Sequence, residues 1–189
     1  MARSLLLPDI SDPARFVSLT ARLSLVMAAL GIVYCLVQLG GIALLQALDL
    51  RRFLFDLGLE LPPSLAWLAT HALALGAAML VGSSLFAVVS WGLLQRREWA
   101  RLGYIAVLLV VAVANFAVLP LVDSLFTDLQ AMLPVAPDDP QVSELAQQLQ
   151  FSRWMTLGTS VAAALALGAL HLWLCWALGL PQVRTLFRR

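Results

Sequence analysis

Four long stretches of this chain, residues 23–48, 64–94, 102–122 and 154–178, contain no Asp, Glu, Lys or Arg. A helix rises 1.5 Å per residue, so about 20 apolar residues cross a hydrocarbon core about 30 Å thick. Each stretch reaches that length. Of the 189 residues, 61% are hydrophobic and 12% charged, against roughly 25% charged in an ordinary soluble domain. Such a chain lacks the polar surface to enclose its apolar residues in water. The expected fold is an all-α membrane protein, a single domain over residues 1–189 built as a four-helix transmembrane bundle.

The charges lie between the apolar runs. Every basic residue is an arginine: Arg3, Arg15 and Arg22 precede the first run, Arg96, Arg97 and Arg101 separate the second and third, and Arg184, Arg188 and Arg189 follow the fourth. Short cytoplasmic loops carry the excess of positive charge. This pattern places both termini in the cytoplasm and leaves Arg51, Arg52 and Arg153 outside, with Asp49, Asp56, Glu60, Asp123, Asp128, Asp138, Asp139 and Glu144. A composition without lysine and rich in Ala, Leu, Gly and Arg points to a GC-rich bacterial genome. The expected location is therefore a bacterial inner membrane, multi-pass, with periplasmic acidic loops. The first run is too long for a signal-peptide core and follows a polar stretch broken by Pro8 and Pro13, so it reads as an uncleaved anchor. No basic stripe marks a nucleic-acid partner. Membrane lipids are the expected neighbours, with Arg96, Arg97, Arg101, Arg184, Arg188 and Arg189 meeting anionic headgroups.

Local signals refine the layout. Ser11, Asp12 and Pro13 form a helix start, and Arg15 and Arg22 share a face from which they can snorkel to headgroups. Residues 49–61 place Leu50, Phe53, Leu54 and Leu57 at helical spacing, as in a short helix on the outer interface. Pro62 and Pro63 end it, and Ser64 is positioned to cap the second span. Trp67 and Trp91 mark the two aromatic belts, and the short turn over 95–99 makes spans two and three antiparallel neighbours. Beyond span three, Leu125, Leu129 and Met132 form one stripe and Val142, Leu145 and Leu149 another. Prolines at 134 and 137 separate them, and Asp139 with Pro140 repeats the helix-start signal. These predict a periplasmic helical hairpin over 123–153 whose second arm continues into span four. An offset of 79 residues superposes Ala21-Arg22-Leu23 on Ala100-Arg101-Leu102, which fits either a parallel repeat of two hairpins or coincidence in a biased composition.

Chemistry-bearing residues are sparse. By helical rise, His71 and His171 differ in depth by roughly 15–20 Å, too far apart to share a metal or haem iron. Cys35 lies mid-span and Cys175 near the inner face, farther apart than the roughly 7 Å between Cα atoms that a disulfide spans. The spans carry no carboxylate for proton coupling, and no base stands at the level of Ser83, Ser84 or Ser90. No catalytic residue, metal or cofactor is expected, and the chain reads as non-enzymatic. Gln38, His71, Asn115 and either Thr159 or Ser160 are expected at one depth, as a polar intramembrane layer. That layer reads as interhelical hydrogen bonding, worth about 0.6 kcal/mol per contact, or as a cavity for a headgroup, a quinone ring or a solute. Small residues recur at every fourth position as Gly158, Ala162 and Ala166 on span four, and as Ala72 with Gly76 and Ala78 with Gly82 on span two. Such ladders let backbones approach closely, within the bundle or against a partner.

The stretch Trp91-Gly92-Leu93-Leu94-Gln95-Arg96-Arg97-Glu98-Trp99-Ala100-Arg101 resembles a loop of uncharacterised four-span bacterial inner-membrane proteins, which carry G-L-L-x-R-x-x-W-A-R between their second and third helices. The resemblance implies a four-helix membrane fold and brings no activity or site residues with it. Two functional readings stay open. One is an accessory or scaffold subunit of a membrane assembly, partnered by an integral-membrane or periplasmic protein or by a second copy. The other is a small oligomeric transporter or channel, or a lipid- or quinone-binding protein, using the polar layer.

Overall fold

A computed structural model of the protein describes residues 12–48, 61–133 and 140–187. Four long helices follow one another: α1 (Pro13–Ala47), α2 (Pro63–Leu94), α3 (Glu98–Ala131) and α4 (Pro140–Gly179), then a single turn, α5 (Pro181–Arg184). Each of the four is long and apolar enough to cross a membrane. The chain is a multi-pass integral membrane protein with an all-α bundle. The helices pack in chain order, α1 on α2, α2 on α3 and α3 on α4. The expected interfacial helix over 49–61 falls almost wholly outside the described residues. So do Ser11, the break at 134–137, Arg188 and Arg189.

Helix α1 starts as its sequence predicts. Pro13 occupies the first turn, and the Asp12 side chain accepts a hydrogen bond from the Arg15 amide at 3.0 Å. Helix α2 does not. Its capping residue is Pro62, which has no side-chain acceptor, and Ser64 lies inside the first turn. The acceptor comes instead from α3: Asp128 Oδ2 takes the Ser64 amide proton at 2.8 Å. A carboxylate is favoured at a helix N-terminus, where unpaired amides and the helix dipole present positive potential. The expected cap at Ser64 is thus replaced by one from a neighbouring helix, which a local sequence signal does not contain.

Asp128 lies beyond the apolar run of α3, and hydrogen bonding from Ser64 holds its carboxyl below the usual carboxylate range. A lowered native pKa means that the contact is complete above the unfolded value of about 4 and is lost as pH falls through the native value. Protection against hydrogen exchange in the first turn of α2, taken relative to the intrinsic rate at each pH, should therefore fall in acid. Asp128→Ala should show the same loss of protection at neutral pH. Equal exchange in mutant and wild type would remove Asp128 from the cap.

Helices α3 and α4 both run past the expected span limits. Pro120 lies inside α3 and the helix continues to Ala131, although an internal proline forfeits one backbone hydrogen bond. Leu125 and Leu129 consequently belong to α3, with Met132 as its C-terminal cap, and Val142, Leu145 and Leu149 belong to α4. Among the described residues no hairpin extension appears as an element of its own. The stripe on α4 also shifts: Val142, Ala146 and Leu149 are half-buried, whereas Leu145 is exposed. Leu145 lies about 100° around the helix from Ala146, which takes it off the face that meets α3.

The densest packing lies where α1 begins and α4 ends, here called the basal end. Val17 and Ala21 of α1, Leu93 of α2, Tyr104 and Leu108 of α3, Leu178 of α4, and Val183 and Phe187 of the tail form one buried cluster. Tyr104 crosses its centre. Its hydroxyl shares a 2.6 Å hydrogen bond with Ser24 Oγ of α1, and its ring stacks on Phe86 of α2 with centroids 5.5 Å apart. Helices α1 and α4 also meet here, the Phe16 ring lying edge-on to Trp173 at 5.9 Å. Toward the other, distal end, α1 packs chiefly on α2. Gly76 is needed there, because a Cβ on it would stand 2.7 Å from Leu39 Cδ2.

Candidate functional site

At the basal end, the sequence from Gly92 to Arg101 builds a tight turn. The Arg96 amide donates to Leu93 O at 3.0 Å and the Arg97 amide to Gly92 O at 3.1 Å, the double closure of a Schellman motif. Arg96 takes the left-handed position, with φ 57°. A Cβ on Gly92 would lie 2.7 Å from Ala100 Cβ and 2.9 Å from Trp99 Cζ2. Leu93, Ala100 and Arg101 are all buried. Four residues of the loop motif are therefore spent on joining α2 to α3.

Arg101 departs from its expected place among the headgroups. It is 5% exposed. Its Nε donates to Glu98 Oε2 at 3.0 Å, its Nη2 pairs with Glu98 Oε1, and its Nη1 donates to Leu178 O at 3.2 Å. The guanidinium also lies 6.0 Å from the centre of the Phe187 ring. Glu98 neutralises the charge from one turn away, and the last turn of α4 offers a carbonyl without a helical partner. Arg96, Arg97 and Arg184 are exposed at this end, where headgroups can reach them.

The five residues expected as a polar layer are not drawn together. Gly31 stands against Ser83 and Gly76 against Leu39, Gly103 faces Val89, and Gly168 faces Phe116. Following these registers, Gln38 and Asn115 share a level near Gly76 and Ala164. His71 and Thr159 lie about six residues farther toward the distal end, roughly 9 Å by helical rise. Gln38, His71 and Thr159 are exposed. His71 Nδ1 pairs with Trp67 O at 2.9 Å and its ring stacks on Trp67, while Thr159 Oγ1 donates to Met155 O at 2.8 Å. Asn115 and Ser160 are half-buried, and the Asn115 amide nitrogen is enclosed without a hydrogen-bond partner. The difference arises from counting depth inward from residues 64 and 122. Ser64 actually stands opposite Asp128, which moves the α3 residues six positions deeper.

Cys35 and Cys175 are free thiols, and among the described residues no three His, Cys, Asp or Glu gather around a possible metal position. The ladders separate into inner and outer faces. Gly76 is buried and Ala72 half-buried against α1, whereas Ala78, Gly82, Gly158, Ala162 and Ala166 are exposed. Cβ atoms on Gly82 and Gly158 would meet nothing within 4 Å. The small residues that seat α4 on α3 are two positions along, at Ser160, Ala164 and Gly168.

A half-open cleft of about 370 Å³ lies at the distal end between α3 and α4. Gln130 of α3 and Leu133, just beyond the end of that helix, line one side; Ala146, Gln150, Arg153 and Trp154 of α4 line the other. Ala146, Gln150 and Arg153 follow the helical spacing i, i+4, i+7, so they share one face. Arg153 is held in place by Asp123: Nε donates to Asp123 Oδ1 at 2.8 Å and Nη2 pairs with the same oxygen. Trp154 is exposed at the rim.

No family model, curated protein or solved structure matches the chain. The cleft escaped sequence reading because its residues come from the far ends of two helices. Trp154 beside Arg153 at the head of span four was the available signal, an aromatic and a cation at one membrane boundary.

Proposed function

We propose that this protein is a non-enzymatic accessory or scaffold subunit of a membrane assembly, whose outer α4 face receives an apolar helix of another integral-membrane protein. The observation that carries this reading is the exposed ladder Gly158, Ala162 and Ala166, on the side of α4 turned away from α3. Small residues at this spacing let a second backbone approach closely, and close packing drives helix association in lipid. Gly158 stands in open space, so the bundle itself does not require the ladder. Transport through the polar layer is less well supported, since three of its members face outward at two levels. The arginine pattern supports a basal end in the cytoplasm, and the lysine-free composition rich in Ala, Leu, Gly and Arg supports a bacterial inner membrane. The ion pair Arg153–Asp123 supports a paired helical extension into the periplasm over 123–153.

The test is affinity purification from native membranes, comparing wild type with Gly158→Leu. Wild type should bring down a stoichiometric membrane protein. The variant should lose it while melting at the same temperature as wild type. A protein recovered alone or only with further copies of itself, or a variant that retains its partner, would overturn the scaffold reading.

A further inference from the structure

We infer that the distal cleft between α3 and α4 binds a neutral, hydroxyl-rich ring, that is, a glycosyl unit. The inference does not rest on the helix-docking role: Ala146, Gln150 and Arg153 line the cleft from the side of α4 that meets α3, and only Trp154, one turn before Gly158, borders the face of the exposed ladder. Its volume of about 370 Å³ falls within the range of about 300–1,000 Å³ occupied by small-molecule sites.

The lining selects the ligand. The side chains of Gln130 and Gln150 each present a carbonyl acceptor and an amide donor pair, and neither side chain has a hydrogen-bond partner among the described residues. Arg153 adds donors, but its charge is matched by Asp123 on two nitrogens, so among the described lining residues no unmatched cation attracts an anion. An apolar ligand would leave these polar groups unpaired, at a cost for every donor or acceptor that it buries. Hydroxyl groups both donate and accept, and so match amides and an ion pair together. The indole of Trp154, 67% exposed beside this polar set, offers a flat apolar surface for the C–H face of a pyranose ring. Leu133 and Ala146 supply the remaining apolar wall.

The glycosyl unit has two possible sources, a membrane glycolipid headgroup or a soluble glycan. The test uses the intact chain in phosphatidylcholine nanodiscs. Native mass spectrometry reads retention of glucosyl diacylglycerol against phosphatidylglycerol, and saturation-transfer NMR reads binding of soluble maltose. Retention of the glycolipid alone assigns a lipid source; binding of maltose as well assigns a soluble one. Trp154→Ala and Gln150→Ala change exposed side chains and should leave the melting temperature unchanged. Each should weaken glycosyl binding by about tenfold or more, the usual effect of removing an anchor residue. The inference is overturned if neither probe binds, if phosphatidylglycerol is retained equally well, or if both variants bind like wild type.

Discussion

Arg101→Met is expected to destabilise the basal end by about 2–3 kcal/mol. Removing one partner of a buried ion pair typically costs about 3–5 kcal/mol, and the estimate here is lower because the Glu98 side chain is 29% exposed and keeps part of its hydration. The substitution preserves the apolar stem but removes both bonds to Glu98 and the bond to Leu178 O. At about 2–4 °C per kcal/mol for a chain of this size, the melting temperature in detergent should fall by about 5–10 °C. The tail should also become more sensitive to protease, since Phe187 packs beside the guanidinium. Arg101→Lys should recover only part of the loss, because an ammonium cannot present the planar fork that reaches Glu98 and Leu178 together. If Arg101→Met melts like wild type, the arginine does not fasten α4 to α3.

The second large effect is expected at Tyr104. Its side chain is 2% exposed at the centre of the basal cluster. Truncation to alanine should cost about 3–5 kcal/mol, as for other large buried aromatics. In lipid this loss comes mainly from packing, since chain and solvent are equally apolar and helices cohere through close contact. Tyr104→Phe keeps the ring on Phe86 and removes only the hydrogen bond to Ser24. It should cost about 0.6 kcal/mol, the average for interhelical hydrogen bonds in a membrane protein. Ser24→Ala should cost a similar amount, and adding it to Tyr104→Phe should cost little more, as expected for two ends of one interaction. Thermal or SDS-induced unfolding measures all four variants. A Phe variant as unstable as the Ala variant would transfer the main role from the ring to the hydroxyl.

Much of the architecture was legible because it follows from local, one-dimensional physics. Runs without charge long enough to cross a bilayer predict spans wherever they pack, and Asp12 with Pro13 starts a helix through its own neighbours. Helix ends were less legible. Asp123 appeared to close span three, but a charged residue within a helix does not stop it when Arg153 lies across the interface to pair with it. The candidate site was the least legible part. Gln130 and Gln150 are unremarkable in sequence, and they share a cleft only because α3 and α4 are antiparallel at one register.

Alone, the sequence determined that the protein is an all-α, multi-pass membrane protein, because an apolar run must satisfy its backbone hydrogen bonds internally and a helix does so within one segment. It also determined that α2 and α3 are antiparallel neighbours, because only the short turn over 95–99 separates their apolar runs. Only the tertiary structure decided which small residues face inward, that Arg101 is buried rather than at the headgroups, and that Asp128 caps α2. Each of these depends on helix rotation and register, which are set by contacts between residues far apart in the chain.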